Sequence, residues 1–141
     1  MLSAGTMLLS LWLLSALRAR CSGARFKKYR HGFSTTRVIW CDQNLNHVMW
    51  GDPEEADVRG MLPFSKVFSV ERGAQPLSWA AKSILGSDGR RIFLRGVSRT
   101  LELEASYDAM ALDWTDALQF AVKRSKQARA QVLNIRSVLR S

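Results

Sequence analysis

Apolar and polar residues alternate with a short period through the middle of the chain. In residues 99–105, Leu101, Leu103 and Ala105 alternate with two glutamates, which predicts a strand that is buried on one face. Six further segments are rich in β-branched and aromatic residues and are bounded by turn-forming residues. The pattern predicts seven short strands, at residues 25–30, 35–41, 46–50, 59–62, 66–71, 92–95 and 99–105.

The period lengthens after Ala105, where apolar residues recur at intervals of three and four. No Gly or Pro interrupts residues 107–141, and Ser106 is suited to cap the first turn of a helix. The first stripe consists of Met110, Trp114, Ala117 or Leu118, Ala121 and Val122, and a weaker one of Val132, Ile135, Val138 and Leu139. We predict a C-terminal helix that packs on the sheet and continues over residues 126–141 as a basic amphipathic tail.

Two regions fit neither period. Residues 72–90 predict a long loop, with a helical stretch around residues 78–85 as an alternative. Residues 7–17 are apolar nearly all round, but they fall short of the about 20 residues that cross a bilayer. We interpret residues 1–24 as an apolar leader, with three alternatives: a segment docked on a membrane interface or a partner, a cleaved signal sequence, or an insertion or artefact that splits the first strand.

Charge is uneven along the chain and narrows the range of partners. Five bases in residues 25–37 precede the first acid of the sequence, and residues 123–141 carry six bases and no acid, within a net charge of +9. Anionic partners are therefore expected, such as phosphorylated lipid, nucleic acid or an acidic protein face. Cys21 and Cys41 form neither a disulfide framework nor a zinc-ligand pattern, so we expect a reducing compartment and no metal or cofactor.

The order of seven strands, a late loop and a helix with a central Trp resembles the pleckstrin-homology (PH) domain family over residues 25–125. Four stretches carry the resemblance. They are Phe26-Lys27-Lys28-Tyr29 with Gly32, Arg37 and Trp40; Val48-Met49-Trp50; residues 60–70 (GMLPFSKVFSV); and residues 99–105 (RTLELEA) followed by Asp113-Trp114. Within the family the sequence looks closest to the phospholipase C-like PH domains. Residues 2–6 (LSAGT) resemble the family's lead into the first strand, so residues 7–24 would be an insertion.

The resemblance implies a mainly β fold with one C-terminal α-helix. This fold is a bent seven-stranded sandwich or partly open barrel, capped at one end by the helix, with Trp114 in the core. PH domains that bind phosphoinositides hold the headgroup between the first two strands. The predicted organisation is therefore an apolar leader (1–24), a PH-like domain (25–125) and a basic helical tail (126–141).

Carried onto this sequence, the resemblance implies Lys28 and Arg37 as the principal ligands of the phosphates. Arg30 and Lys27 are the supporting candidates, together with His31. The family usually has a second base two positions after Arg37, where this chain has an isoleucine. Alternation along a strand puts Lys28 and Arg30 on one face and Lys27 on the other, so these side chains cannot all converge.

Two functions follow from the resemblance. The first is a non-catalytic, cytoplasmic module that attaches peripherally to anionic or phosphoinositide-containing membrane through the first hairpin. The alternative is a protein-interaction scaffold that uses the C-terminal helix and the sheet surface without specific lipid binding. For the location, the alternative is an N-terminal signal or anchor segment.

Catalytic and nucleic-acid sites find little support in the residues. His31 and His47 are the only histidines and are far apart in sequence, so no nucleophile–base pair is indicated. Glu102 and Glu104 share a strand face, which we interpret as a solvated edge rather than a catalytic carboxylate pair. Trp40 and Trp50, the candidates for stacking on nucleic-acid bases, have apolar neighbours and are predicted in the core, so nucleic acid is not an expected partner.

Overall fold

The first two strands and the last one lie side by side at the centre of a single antiparallel sheet. The computed structural model describes residues 22–55, 57–73 and 88–140. Its strands are β1 (Ala24–Arg30), β2 (Phe33–Cys41), β3 (His47–Gly51), β4 (Val58–Pro63), β5 (Val67–Arg72), β6 (Arg91–Gly96) and β7 (Thr100–Glu104). They are ordered β4-β3-β2-β1-β7-β6-β5, which confirms the predicted seven strands.

The sheet stays open between its two edge strands, β4 and β5. Pro63 ends β4, as expected for a residue that cannot donate to a ladder, and a 3-10 turn at Phe64–Lys66 connects it to β5. A second 3-10 turn, Asp88–Arg90, precedes β6. Residues 1–21, which include the apolar leader, and residues 74–87, which include the helical alternative in the long loop, lie outside the described part of the chain.

The core forms where both halves of the curled sheet meet the helix α1 (Asp108–Arg140). Alternation on β7 is confirmed, since Leu101 and Leu103 are buried between the glutamates. The ring of Trp114 lies 5.0 Å from that of Phe26 at an interplanar angle of 82°, an edge-to-face arrangement. This contact ties the helix to β1 in the centre of the sheet.

Helix α1 packs on the sheet with only its first half. Its buried residues are Ala111, Trp114, Thr115, Ala117, Leu118, Ala121 and Val122. Gln119 Nε2 donates to the carbonyl oxygen of Val70 at 2.8 Å, and Lys126 Nζ donates to that of Phe68 at 3.3 Å. After Val122 the described helix has no buried residue. The docked stripe and the continuation of the helix both agree with the sequence pattern.

The turn between β2 and β3 is organised by one carboxylate. Asp42 Oδ1 accepts hydrogen bonds from the backbone N–H groups of Asn46 and His47, each at 2.8 Å, and Oδ2 lies 3.2 Å from His47 Nδ1. Partial burial acts to raise the pKa of Asp42, but these hydrogen bonds outweigh it and hold the pKa below its ordinary value. Asp42 therefore stabilises the fold in its ionised form.

The prediction of a solvated edge at Glu102 and Glu104 was wrong. The Glu104 side chain is only 11% exposed and lies 3.8 Å from Lys27 Nζ and 3.9 Å from Arg91 Nε. Arg91 also pairs with Glu102. Because β1 and β6 flank β7 on both sides, their bases cover these carboxylates, and this coverage depends on which strands are neighbours.

Candidate anion-binding site

The first hairpin closes with a two-residue turn. His31 and Gly32 have φ angles of 52° and 81°, and Arg30 pairs directly with Phe33. Positive φ at both central residues is the geometry that matches the twist of a hairpin, and Gly adopts it without strain. Strands β1 and β2 therefore run to the tip of the hairpin, so Arg30 lies on a regular strand.

Strand register puts Lys28 and Arg37 on the same face of the sheet. Arg37 is paired with Phe26 and Lys28 with Thr35, and residues paired across antiparallel strands point to the same side. Because Phe26 is buried, this is the face that covers the core. Towards the hairpin tip the same face reaches solvent, first at the half-buried Lys28 and then at the exposed Arg30.

The indole of Trp50 lies beneath two cations at the solvent-exposed end of this face. Trp50 is only 4% exposed, as predicted for a core residue, whereas Trp40 is only half-buried, so the same prediction was wrong for Trp40. Lys28 Nζ lies 5.3 Å from the centroid of its ring, and Arg99 Cζ lies 5.6 Å from it. The ring packs directly over Gly60, where an added Cβ would come within 2.3 Å of the indole. Cation–π attraction therefore offsets part of the repulsion between the two positive charges.

Four basic side chains lie close enough to act on one another. Partial burial, followed by the charges of Arg30, Arg37 and Arg99, holds the pKa of Lys28 below its ordinary value of 10.5. We call these four residues the cationic mouth. A phosphate or another polyanion placed among them would accept charge-assisted hydrogen bonds and relieve this repulsion.

Asp52 brings a negative charge to the rim of the mouth. Its Oδ2 atom lies 3.6 Å from Arg37 Nη1 and 3.9 Å from Arg59 Nη2. Arg59 also pairs with Glu55 at 3.2 Å. These contacts hold Arg37 near the opening and neutralise part of its charge, so Asp52 tunes the mouth without closing it.

A depression of about 460 Å³ lies beside the mouth, between the β1–β2 turn and the β6–β7 turn. Its lining includes Lys28, Arg30, His31 and Arg99 from the basic side and Glu102 from β7. The donors that line the depression come from β1, from the turn that follows it and from the β6–β7 turn.

The structure therefore brings together three of the four predicted site residues. Lys28, Arg30 and Arg37 belong to the mouth, and His31 lies at its rim. Lys27 lies on the opposite face, 3.8 Å from Glu104, where it lines a separate depression of about 170 Å³. The predicted alternation of Lys27 and Lys28 on β1 accounts for this separation.

Arg99 and Arg59 were missed by the sequence reasoning. Arg99 is a base in the turn before β7, and β7 pairs antiparallel with β1, with Tyr29 opposite Glu102. This register puts the β6–β7 turn at the same end of the sheet as the first hairpin. The signal was a base next to a turn, but its value depended on knowing that the first and last strands are neighbours.

Comparison with solved structures identifies the fold. ISP3, an inner membrane complex sub-compartment protein of Toxoplasma gondii, aligns with a TM-score of 0.60 and 13% identity over 81% of this chain and 85% of that chain. The PH domain of TgAPH aligns with a TM-score of 0.59 and 16% identity over 81% and 91%. The chain has the pleckstrin-homology fold. This confirms the resemblance seen in the sequence.

The predicted phospholipase C-like subtype is not singled out by these comparisons. PLC21 of S. officinalis aligns with a TM-score of 0.58 and 14% identity over 73% of this chain, which corresponds to 15% of the enzyme's length. This TM-score lies between the 0.59 of the TgAPH PH domain and the 0.56 of the carboxyl-terminal PH domain of pleckstrin, so it does not separate the PLC structure from other PH domains. No protein-family model and no curated protein sequence matches the chain.

The described residues were also searched for metal-binding and membrane-spanning features. They contain no cluster of three or more His, Cys, Asp or Glu side chains that would hold a metal ion. Among them, no helix combines the length and the apolar character needed to cross a bilayer.

Proposed function

We propose that this PH fold is a non-catalytic module that binds the phosphorylated inositol headgroup of anionic membrane lipids at the cationic mouth. One observation carries the proposal: Lys28 and Arg99 lie over the indole of Trp50 beside an open depression, where partial burial, followed by the charges of three guanidinium groups, lowers the pKa of Lys28. A multiply charged headgroup relieves that repulsion with several charge-assisted hydrogen bonds at once. Peripheral attachment to the cytoplasmic face of a membrane follows.

Each residue of the mouth has a part in this proposal. Lys28 binds one phosphate as a compact point charge above Trp50. Arg37, held by Asp52, offers the planar donor pair that suits a second phosphate. Arg30, the last residue of β1, and Arg99, in the β6–β7 turn, bind from the two sides of the depression. Attraction to an anionic surface contributes about 1 kcal/mol per nearby basic residue, so four cations suffice for reversible attachment.

Vesicle co-sedimentation tests the proposal. The probe is phosphatidylcholine vesicles that contain phosphatidylinositol bisphosphate, compared with vesicles of equal charge in which phosphatidylserine replaces the phosphoinositide. We expect the Lys28→Ala/Arg37→Ala double variant to lose at least about tenfold in affinity for the phosphoinositide vesicles, because two phosphate donors are removed.

Lys27→Ala is the matched control for this experiment. It removes the same type of charge one residue away, but on the face that pairs with Glu104. We expect it to change affinity by less than about twofold. Equal binding to both vesicle types, or equal losses in the double variant and the control, would refute headgroup binding at the mouth.

A further inference from the structure

Helix α1 continues beyond the domain as a projecting helix, residues 123–140. Its 18 residues extend for about 27 Å at 1.5 Å per residue. None of them is buried, and only Ser125 is half-buried. A helix of this length is marginal in water by itself, so its ordered start on the docked half acts as the nucleus. The docked half therefore keeps the projecting helix ordered, and residues 127–140 are all exposed.

The projecting helix carries an apolar stripe of exposed residues. Val132, Ile135, Val138 and Leu139 are 48%, 59%, 68% and 80% exposed. With about 100° between successive residues, these four side chains fall within one third of the helix circumference. The stripe follows the same side of α1 that is buried on the sheet at Trp114 and Ala121. The apolar side of α1 therefore continues beyond the part of the helix that packs on the sheet.

A cationic stripe lies next to the apolar one. The projecting helix has six bases and no acid: Lys123, Arg124, Lys126, Arg129, Arg136 and Arg140. Of these, Arg129, Arg136 and Arg140 lie within about 40° of one another on the helix circumference, along one edge of the apolar stripe. Apolar residues bordered by long basic side chains are the arrangement of a helix that lies in a membrane interface.

The projecting helix leaves the sheet at the end that carries the two turns of the mouth. Gln119 contacts Val70 and Lys126 contacts Phe68, so α1 passes β5 towards its first residue, Val67. Val67 pairs with Gly96, which opens the β6–β7 turn. Two acid-poor cationic surfaces therefore belong to the same end of the sheet.

Charge favours one of three possible partners for the apolar stripe, which are a second copy of the helix, another protein and a lipid bilayer. A second copy of the projecting helix would bring six further cations against it with no acid to offset them, which disfavours a dimer. The stripe holds only aliphatic residues, without the aromatic anchors that dominate protein hot spots. An anionic bilayer supplies both an apolar layer and negative charge.

We propose that the projecting helix is a second membrane contact, which lies in the interface of an anionic bilayer with its apolar stripe towards the acyl chains and its arginines on lipid phosphates. It responds to the surface charge of the bilayer and needs no particular headgroup. This inference goes beyond headgroup binding at the mouth and does not depend on it.

Vesicles of phosphatidylcholine and phosphatidylserine, without phosphoinositide, test the projecting helix separately from the mouth. We expect the full chain to bind them, and Ile135→Ser/Leu139→Ser to lower the affinity at least about tenfold because the apolar stripe is lost. Arg129→Gln/Arg136→Gln/Arg140→Gln should lower the affinity further, on the order of a hundredfold, since each cation contributes about fivefold. Lys28→Ala/Arg37→Ala removes two cations from the mouth and should retain binding to these vesicles, with a smaller loss of affinity than the arginine variant.

The matched control is Tyr107→Ser/Leu112→Ser, which removes two exposed apolar residues, 60% and 46% exposed, at the docked end. It should change the affinity less than about twofold. Circular dichroism and thermal melts of every variant verify that the domain stays folded. Vesicle binding that survives the stripe variants, or that is lost in Lys28→Ala/Arg37→Ala, would overturn the inference. So would a dimer in sedimentation velocity that Ile135→Ser/Leu139→Ser dissociates, or binding of an acidic protein in place of vesicles.

Discussion

The cationic mouth and the projecting helix are both basic, but they are built in different ways. The mouth gathers bases from β1, β2 and the β6–β7 turn around the buried Trp50. The projecting helix takes all of its bases from one continuous segment, whose side chains are not buried. In the mouth, partial burial and then the charges of three neighbouring arginines lower the pKa of Lys28.

This difference separates a site from a charged surface. Crowded cations on a rigid support can distinguish an arrangement of phosphates, because the donors are held in place before the ligand arrives. Cations spread along an exposed helix respond mainly to the charge density of a surface. The mouth should therefore depend on the integrity of the core, whereas the projecting helix depends on the docked half of α1 only for its ordered start.

The largest expected effect is on the core that supports the mouth. Trp114→Ala removes a buried indole that contacts Phe26, and we expect the free energy of unfolding to fall by about 3–5 kcal/mol. Urea denaturation measures this value. A chain that ends at Ser125 provides the contrast and should lose less than about 1 kcal/mol, because the buried residues of α1 end at Val122. Similar losses in the two proteins would remove the distinction between the halves of the helix.

Gly60→Ala tests whether the mouth depends on the position of Trp50. The added Cβ would come within 2.3 Å of the indole, so the ring must move from beneath Lys28 and Arg99. We expect a loss of about 1–3 kcal/mol in the free energy of unfolding, with weaker phosphoinositide binding. Met61→Ala, at an exposed neighbour, is the control. Unchanged binding in Gly60→Ala would show that the indole is not part of the site.

Asp42→Ala should destabilise the fold by about 1–2 kcal/mol without altering the mouth, since the turn between β2 and β3 lies at the other end of β2. The pKa of Asp42 is below 3.8 in the folded chain, so its contribution is complete above that pH and is lost as the pH falls through the folded pKa. Thermal melts from neutral pH to below 3.8 should show the two proteins converging. Asn44→Ala, in the same turn, is the control. A difference in stability between the unchanged protein and Asp42→Ala that does not change with pH would exclude this role of the carboxylate.

Asp52→Asn should strengthen binding at the mouth while leaving the projecting helix unaffected. The change removes a negative charge 3.6 Å from Arg37, so we expect a severalfold gain in affinity for phosphoinositide vesicles, equivalent to about 1 kcal/mol. Co-sedimentation measures the gain. Glu54→Gln removes the same charge from an exposed neighbour and should have a smaller effect. A loss of affinity in Asp52→Asn would mean that Asp52 acts mainly by positioning Arg37.

Lys28→Met has the smallest expected effect on stability. It should stabilise the fold slightly while it weakens binding at the mouth. Partial burial and three guanidinium groups disfavour the charged amine, so its removal should raise the free energy of unfolding by a few tenths of a kcal/mol in this solvated site. Because the folded pKa is below 10.5, the unfolded chain binds more protons in that window, and the unchanged protein should gain stability as the pH rises towards 10.5. Thermal melts at neutral and alkaline pH measure how far the stability of the unchanged protein approaches that of Lys28→Met. Lys27→Met, which removes the amine that pairs with Glu104, is the control. A Lys28→Met variant that is less stable than the unchanged protein would contradict the repulsion between Lys28 and the arginines.

Local patterns along the chain were sufficient for most of the elements. The alternation around Leu101 and Leu103 and the helical spacing around Trp114 depend only on neighbours in sequence, and both patterns were confirmed. The two-residue turn at His31-Gly32 extends β2 to Phe33, two residues earlier than predicted, because positive φ at His31 was not apparent from the residue type. Element boundaries therefore shifted while their types did not.

The sequence by itself determined the seven strands, the amphipathic helix and the placement of Lys28 and Lys27 on opposite faces of β1. These features follow from periods of two and 3.6 residues, which are properties of the backbone. Only the tertiary structure decided that Arg99 joins Lys28 over Trp50 and that Glu104 is covered by bases from both neighbouring strands. These contacts depend on the pairing of the first and last strands, whose partners are about 75 residues apart, and no local pattern encodes which strands become neighbours.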